Sequence, residues 1–246
     1  AWLQQCVRHF PLVGMLVGAA AACVLWFAAG LWPLPVAVLL SMATTLWLTG
    51  GFHEDGWADT LDALGGVVDR ERALAIMKDS RIGAYGAMGL TMMLLLKAAA
   101  LWGLASHGLA AVAVALVWTH AVSRAGPVLL MGMLPYAGDA DHAKAKPLAT
   151  QVAWTSVGLA WLWVALLGLA LLWLSPQVSE GASPGHGVAR GLGWALLAMI
   201  GVTFGCARWF SRRLGGYTGD TLGAAQQCTE LAGLLGLLAV WAPVPS

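Results

Sequence analysis

From Phe10 to Trp47 the chain runs without a single Asp, Glu, Lys or Arg. That run is too long for one membrane crossing of roughly 20 residues. Pro33 and Pro35 interrupt it, which predicts two helices, about 11–31 and 34–49, joined by a tight turn. Residues 50–82 form a polar island, and from Ile82 the apolar character returns. Ser106-His107-Gly108 divides the next stretch into spans at about 83–105 and 109–134, and later spans are predicted at about 151–174, 190–208 and 221–242. The pattern predicts an all-α, polytopic integral membrane protein in one membrane-embedded domain over residues 1–246. It has about seven transmembrane helices and a polar, acidic helical segment at 50–82.

Composition strengthens this picture. Of the 246 residues, 59% are hydrophobic and 10% are charged, far below the roughly 25% charged of an ordinary soluble domain. That excludes a water-soluble globule. The net charge of +1 gives no basic field for nucleic acid. The 14 tryptophans suit the lipid–water boundary of a bilayer. Cys6, Cys23, Cys206 and Cys228 form no C-x-x-C pair and read as small apolar fillers rather than a zinc or disulfide framework.

Cation placement orients the spans. With the N-terminus in the cytoplasm, Arg8, Arg70, Arg72, Lys78, Arg81, Lys144, Lys146, Arg208, Arg212 and Arg213 all fall on the inner side. The 106–108 turn, the 175–189 loop with Glu180 and Pro184, and the uncharged C-terminus fall outside, with Arg190 at the edge.

Seven of the 12 acidic residues lie between 54 and 79: Glu54, Asp55, Asp59, Asp62, Asp69, Glu71 and Asp79. On one continuous helix Asp55, Asp59, Asp62 and Asp69 fall within about 80° of each other. Like charges one turn apart repel, and a divalent cation removes that repulsion. Hard carboxylate oxygens suit Mg²⁺ or Mn²⁺, and Mg²⁺ takes one or two carboxylates plus substrate phosphate oxygens. The competing reading is a solvated acidic face, which the scarcity of charge elsewhere in the chain argues against. His53 reads as an interfacial histidine before a ligand.

Lys78-Asp79-Ser80-Arg81-Ile82-Gly83-Ala84-Tyr85-Gly86 precedes the third span. Asp79 or Ser80 is placed to cap that helix, whose first N–H groups, with Arg81 beside them, suit a phosphate. Lys97 and Arg124 lie inside spans. Intramembrane cations face a polar cavity or a partner, so Arg124 pairs with a carboxylate or a phosphate. Gly215-Gly216-Tyr217-Thr218-Gly219-Asp220-Thr221-Leu222-Gly223-Ala224 opens the last span, with Thr218 or Asp220 as its cap. Gln226, Gln227 and Glu230 carry a polar face into it. Metal and phosphate sites on one membrane face point to phosphoryl transfer.

Gly-Gly-Phe-His-Glu-Asp-Gly-Trp-Ala-Asp-Thr-Leu-Asp-Ala at 50–63, the 77–86 motif and the 216–224 motif resemble the cobalamin synthase family, the adenosylcobinamide-GDP ribazoletransferases. Phe10-Pro11-Leu12-Val13-Gly14 also fits it. Trp57 stands where a Leu is usual, and Ala63-Leu64 where an Asp-Gly-like pair is frequent. Neither departure removes an expected ligand. The resemblance implies an integral enzyme of the inner (cytoplasmic) membrane, with its site facing the cytoplasm. It implies Mg²⁺ as cofactor and adenosylcobinamide-GDP and α-ribazole (or its 5′-phosphate) as substrates, with GMP released late in cobalamin biosynthesis. It leaves open a homo-oligomer or a complex with other corrinoid enzymes.

In this reading Glu54, Asp55, Asp59, Asp62 and Asp69 supply the metal ligands, with Asp55, Asp59 and Asp62 central. Glu54 or Asp69 completes the shell or takes the hydroxyl proton. Arg81 and Arg124 neutralise phosphate charge, and Asp79, Ser80, Gly83, Thr218 and Asp220 bind substrate. Two alternatives stand beside it. A CDP-alcohol phosphotransferase is a more distant resemblance, with Asp55-Gly56-x-Ala58 spaced one residue tighter and Asp59 in place of an Arg. An anion transporter would use Lys97 and Arg124, but the paired halves common in transporters are not visible.

Overall fold

The computed structural model describes residues 5–138, 152–178 and 186–241. Lys144, Lys146, Glu180 and Pro184 lie outside them. Nine α-helices follow in the described residues: α1 (Phe10–Ala29), α2 (Leu34–Thr49), α3 (Phe52–Leu64), α4 (Arg70–Met77), α5 (Ala84–Leu104), α6 (Leu109–Met133), α7 (Trp154–Val178), α8 (His186–Leu214) and α9 (Gly219–Trp241). Among these residues there is no strand; Tyr136 and Tyr217 make one isolated parallel bridge. In it, Ala137 N–H donates to Tyr217 C=O at 2.8 Å and Tyr217 N–H to Pro135 C=O at 3.0 Å.

The chain is an all-α polytopic membrane protein. Five helices are long and apolar enough to cross a bilayer: α1, α5, α6, α7 and α8. A sixth candidate is α2 with α3, a pair bent by 87°. Against the seven expected, the described residues hold five or six candidate spans by length and composition. The 16-residue α2 is too short alone, and α9 is diluted by Gln226, Gln227 and Glu230, all of them buried in the bundle. Leu16, Trp26, Phe27, Trp47 and Trp173 are exposed on the outside, as a lipid-facing surface requires.

Helix α6 is the axis of the bundle, buried along most of its length from Val112 to Met131. It crosses α1 at Gly14 and Gly18. A Cβ on Gly18 would lie 2.6 Å from the Leu116 carbonyl oxygen. Small residues four apart permit that backbone approach within a membrane, where packing rather than hydrophobicity drives association. Pro127 sits inside α6 without ending it.

The polar island is two helices rather than one. α3 stops at Leu64, Gly65-Gly66 follow, and Asp69 starts α4 by accepting the Arg72 N–H at 2.8 Å. The continuous stripe expected from Asp55 to Asp69 is thus broken, because Asp69 is an N-cap. Two arginines fasten the junction. Arg213 donates to the Leu64 and Gly66 carbonyls at 3.0 and 2.9 Å. Arg70 donates to those of Leu214 and Ala137 at 2.7 and 3.1 Å. Leu64 and Leu214 end α3 and α8, so each guanidinium serves carbonyls that a helix end leaves unpaired.

Candidate active site

The site begins at the bend between α2 and α3. Gly50 and Gly51 have φ of 64° and 67°, the left-handed region that side-chain-bearing residues avoid. Two such residues in succession end α2 and turn the chain sharply into α3. Beside this bend lies a cleft of about 400 Å³, lined among others by Glu54, Asp55, Asp59 and Ser80. Asp55 and Asp59 are one helical turn apart, and Ser80 comes from the loop before α5.

Asp62, the next carboxylate of the stripe, is committed elsewhere. Its two oxygens accept the N–H groups of Gly83 at 2.7 Å and Gly86 at 2.8 Å. Asp62 therefore caps α5 from a different helix, and the N-cap residue is Gly83. This corrects the expectation that Asp79 or Ser80 caps α5. The N–H groups of Gly83 and Gly86 thereby already hold a protein anion. A Cβ on Gly86 would meet the Asp62 carboxylate and sit 2.8 Å from the Ala58 carbonyl. Neither Asp62 nor Asp69 lines the cleft.

Asp79 turns to Arg81, its Oδ2 2.6 Å from the guanidinium. That hydrogen bond and charge raise the Arg81 pKa above its ordinary value, and Arg81 stays exposed at the rim. Thr218 caps α9: its hydroxyl accepts the Thr221 N–H at 3.2 Å, and its own N–H donates to Thr221 Oγ1 at 2.8 Å. Burial, then Tyr136, push the neighbouring Tyr217 phenol up to about 12, so it stays protonated. Asp220 sits where α9 meets α3. A Cβ on Gly56 would be 2.7 Å from the Asp220 carbonyl oxygen, and one on Gly223 3.2 Å from His53 Cα. The 50–63 and 216–224 motifs are therefore packed backbone to backbone. His53 is buried in that packing, its ring 3.9 Å from that of Phe52.

Beneath the cleft is a buried polar network from four helices. Lys97 of α5 bonds Glu230 at 2.8 Å and Gln227 at 2.7 Å, both on α9. Glu230 also receives Gln226 at 2.6 Å and lies 3.3 Å from His120 of α6. Gln227 donates to Glu54 Oε1 of α3 at 2.9 Å. Arg124 is buried on α6, donating to the His120 carbonyl at 2.9 Å with its ring nitrogen at 3.2 Å. The carboxylates whose charge reaches it are Glu230 and Glu54. Arg124 is not part of the cleft wall.

Among the described residues no three His, Cys, Asp or Glu side chains converge into a ready-made metal cage. The donor chemistry at the cleft nevertheless fits Mg²⁺: two aspartates one turn apart, and Glu54, whose buried Oε2 has no partner. A carboxylate oxygen shut away from water without a partner is costly, and a hard cation would satisfy it.

A sequence model of the family described as cobalamin-5-phosphate synthase matches residues 1–238. The chain belongs to that family. Among its relatives, the adenosylcobinamide-GDP ribazoletransferase of Leptothrix cholodnii is 58% identical over 241 residues, 98% of this chain and 87% of the relative. The protein of the same name from Ralstonia pickettii is 44% identical over 241 residues, 97% of this chain and 86% of its own. That of Shewanella amazonensis is 42% identical over 242 residues, 97% and 86%. No solved structure matches. For a member of the cobalamin-5-phosphate synthase family, the three motifs read from the sequence now have distinct places. The first supplies the cleft carboxylates, the second its rim, and the third the helix start that braces the first.

Sequence reasoning missed His120, Arg70, Arg213 and the partners of Gln227. His120 stands four residues before Arg124, on the same helical face, and that spacing was the available signal. Arg70 and Arg213 bond backbone carbonyls, which leave no trace in residue identity.

Proposed function

We propose that this protein is an adenosylcobinamide-GDP ribazoletransferase that works with Mg²⁺ at the cytoplasmic face of the inner membrane. Family membership supports the reaction. The observation that carries the site is the cleft in which Asp55 and Asp59 stand beside Glu54, whose Oε2 lacks a partner.

A ribose hydroxyl oxygen of α-ribazole, or of its 5′-phosphate, forms a bond to the corrinoid-linked phosphorus of adenosylcobinamide-GDP. The bond from that phosphorus to the bridging oxygen breaks, and GMP leaves with the electron pair. The hydroxyl proton passes to a carboxylate of the cleft. Glu54, Asp55 and Asp59 would hold Mg²⁺, which neutralises pyrophosphate charge and stabilises the leaving phosphate. Ser80 contributes a hydroxyl donor on the cleft wall, and exposed Arg81 a guanidinium fork at the rim for phosphate oxygens. Asp62 and Asp79 act by fixing the start of α5 and Arg81. Thr218 and Asp220 act by seating α9 against α3. Arg124 compensates the buried carboxylates.

The cytoplasmic orientation is supported by the cations. Arg70, Arg72, Lys78, Arg81, Arg212 and Arg213 belong to the cleft end, where Arg213 and Arg70 join α3, α4 and α8. The test is GMP release by the purified protein given adenosylcobinamide-GDP and α-ribazole. Turnover that EDTA abolishes and Mg²⁺ restores is the expected result. Turnover indifferent to EDTA removes the metal, and no GMP from a folded protein removes the reaction.

A further inference from the structure

Among the described residues, Glu54 lines both the outer cleft and a smaller cavity inside the bundle. The inner cavity, about 20 Å³, has room for about one water; Lys97, His120 and Glu230 are in its wall. Glu54 is thus the contact between the cleft and the buried network.

The way Gln227 holds Glu54 is specified chemically. A lysine ammonium only donates and a carboxylate only accepts. Lys97 Nζ at 2.7 Å therefore fixes the Gln227 oxygen on its side. The Gln227 amide nitrogen must face the other way, toward Glu54 Oε1 at 2.9 Å and Gln226 Oε1 at 2.8 Å. Gln226 is oriented likewise, its nitrogen donating to Glu230 Oε2 at 2.6 Å and Ser123 Oγ at 3.0 Å. Glu230 closes the ring by pairing with Lys97 at 2.8 Å. Lys97, Gln226, Gln227 and Glu230 are all at least nineteen-twentieths buried. Gln227 uses both amide hydrogens and its oxygen, so its side chain has one arrangement. Glu54 is gripped by one oxygen, and Oε2 is left without a partner.

We propose that Gln227, locked by the Lys97–Glu230 pair, is a positioning residue that fixes the Glu54 carboxylate at the wall of the cleft that would take the cation and phosphates. The proposal rests on the ribazoletransferase reading of that cleft. Outer hydrogen-bond partners of a metal-binding carboxylate typically change metal affinity or activity by about 10–100-fold.

The experiment uses the full chain in detergent, with Mn²⁺ alone as the probe by electron paramagnetic resonance, beside thermal unfolding and GMP-release kinetics. Gln227→Glu removes both amide donors, keeps an acceptor for Lys97 and puts a carboxylate against Glu54. The double variant Glu54→Gln/Gln227→Glu restores the hydrogen bond with donor and acceptor exchanged. Gln227→Glu is expected to weaken Mn²⁺ binding about tenfold or more, and to lower kcat by a similar factor with KM for adenosylcobinamide-GDP within about twofold. The double variant should regain the melting temperature while Mn²⁺ affinity and kcat stay low. Recovery of all three would make Gln227 merely structural and overturn the proposal. So would wild-type Mn²⁺ affinity and kcat in the single variant. Mn²⁺ binding is read without substrate, so a wild-type protein that binds Mn²⁺ but releases no GMP would sink the ribazoletransferase reading instead.

Discussion

Carboxylates of one helical stripe have different tasks. Asp55 and Asp59 face the cleft, whereas Asp62 is taken up by two backbone N–H groups of α5. Asp59→Asn keeps the shape and removes a charge, so kcat for GMP release should fall at least about 100-fold while the protein stays folded in detergent. Asp62→Ala should do the reverse first: it removes a helix cap and should lower stability by about 1–2 kcal/mol, read by thermal unfolding in detergent. Among the described residues, the hydrogen bonds of Arg124 stay within its own helix, at His120. Arg124→Lys should therefore lower the melting temperature and leave the KM for adenosylcobinamide-GDP within about twofold. Normal stability with a raised KM would return Arg124 to the substrate. The stripe itself was legible, since periodicity alone puts these carboxylates on one face. Its division was not, because the partner of Asp62 lies 21 residues further on, and a sequence does not show which helix starts near which side chain.

At the scale of elements, the contact between α3 and α9 decides the shape of the site. Gly56 leaves no room for a methyl group against the Asp220 carbonyl, and at Gly223 one would press on His53. Gly56→Ala should push the helices apart, cost about 1–3 kcal/mol and reduce turnover with it. Circular dichroism melts and GMP release on the same preparation check both. Most helices were readable from apolar runs and Pro or Gly breaks: α2 and α6 fall within a residue of expectation. The polar face of α9 is visible in the sequence, but its partners are not. Gln226, Gln227 and Glu230 make it the polar spine of the interior, and the positions of Lys97 and His120 show what that face meets.

In the whole molecule, α5 starts at the cleft and ends at the 105–107 turn, so its 21 residues, about 32 Å of helix, separate two faces. Single cysteines introduced at Ser80 and His107, both exposed, should label from opposite sides of sealed inside-out vesicles, Ser80 from the cytoplasmic one. Labelling of both from one side would overturn the topology. The bend at Gly50-Gly51 bears on depth. Even standing upright, the 16 residues of α2 rise about 24 Å, short of a hydrocarbon core of about 30 Å. If α2 starts at one membrane surface, the floor of the cleft would sit below the phospholipid headgroups, where the surrounding acyl chains would have to thin. Turnover in vesicles should consequently depend on acyl-chain length, falling as the lipids lengthen and burying the floor more deeply.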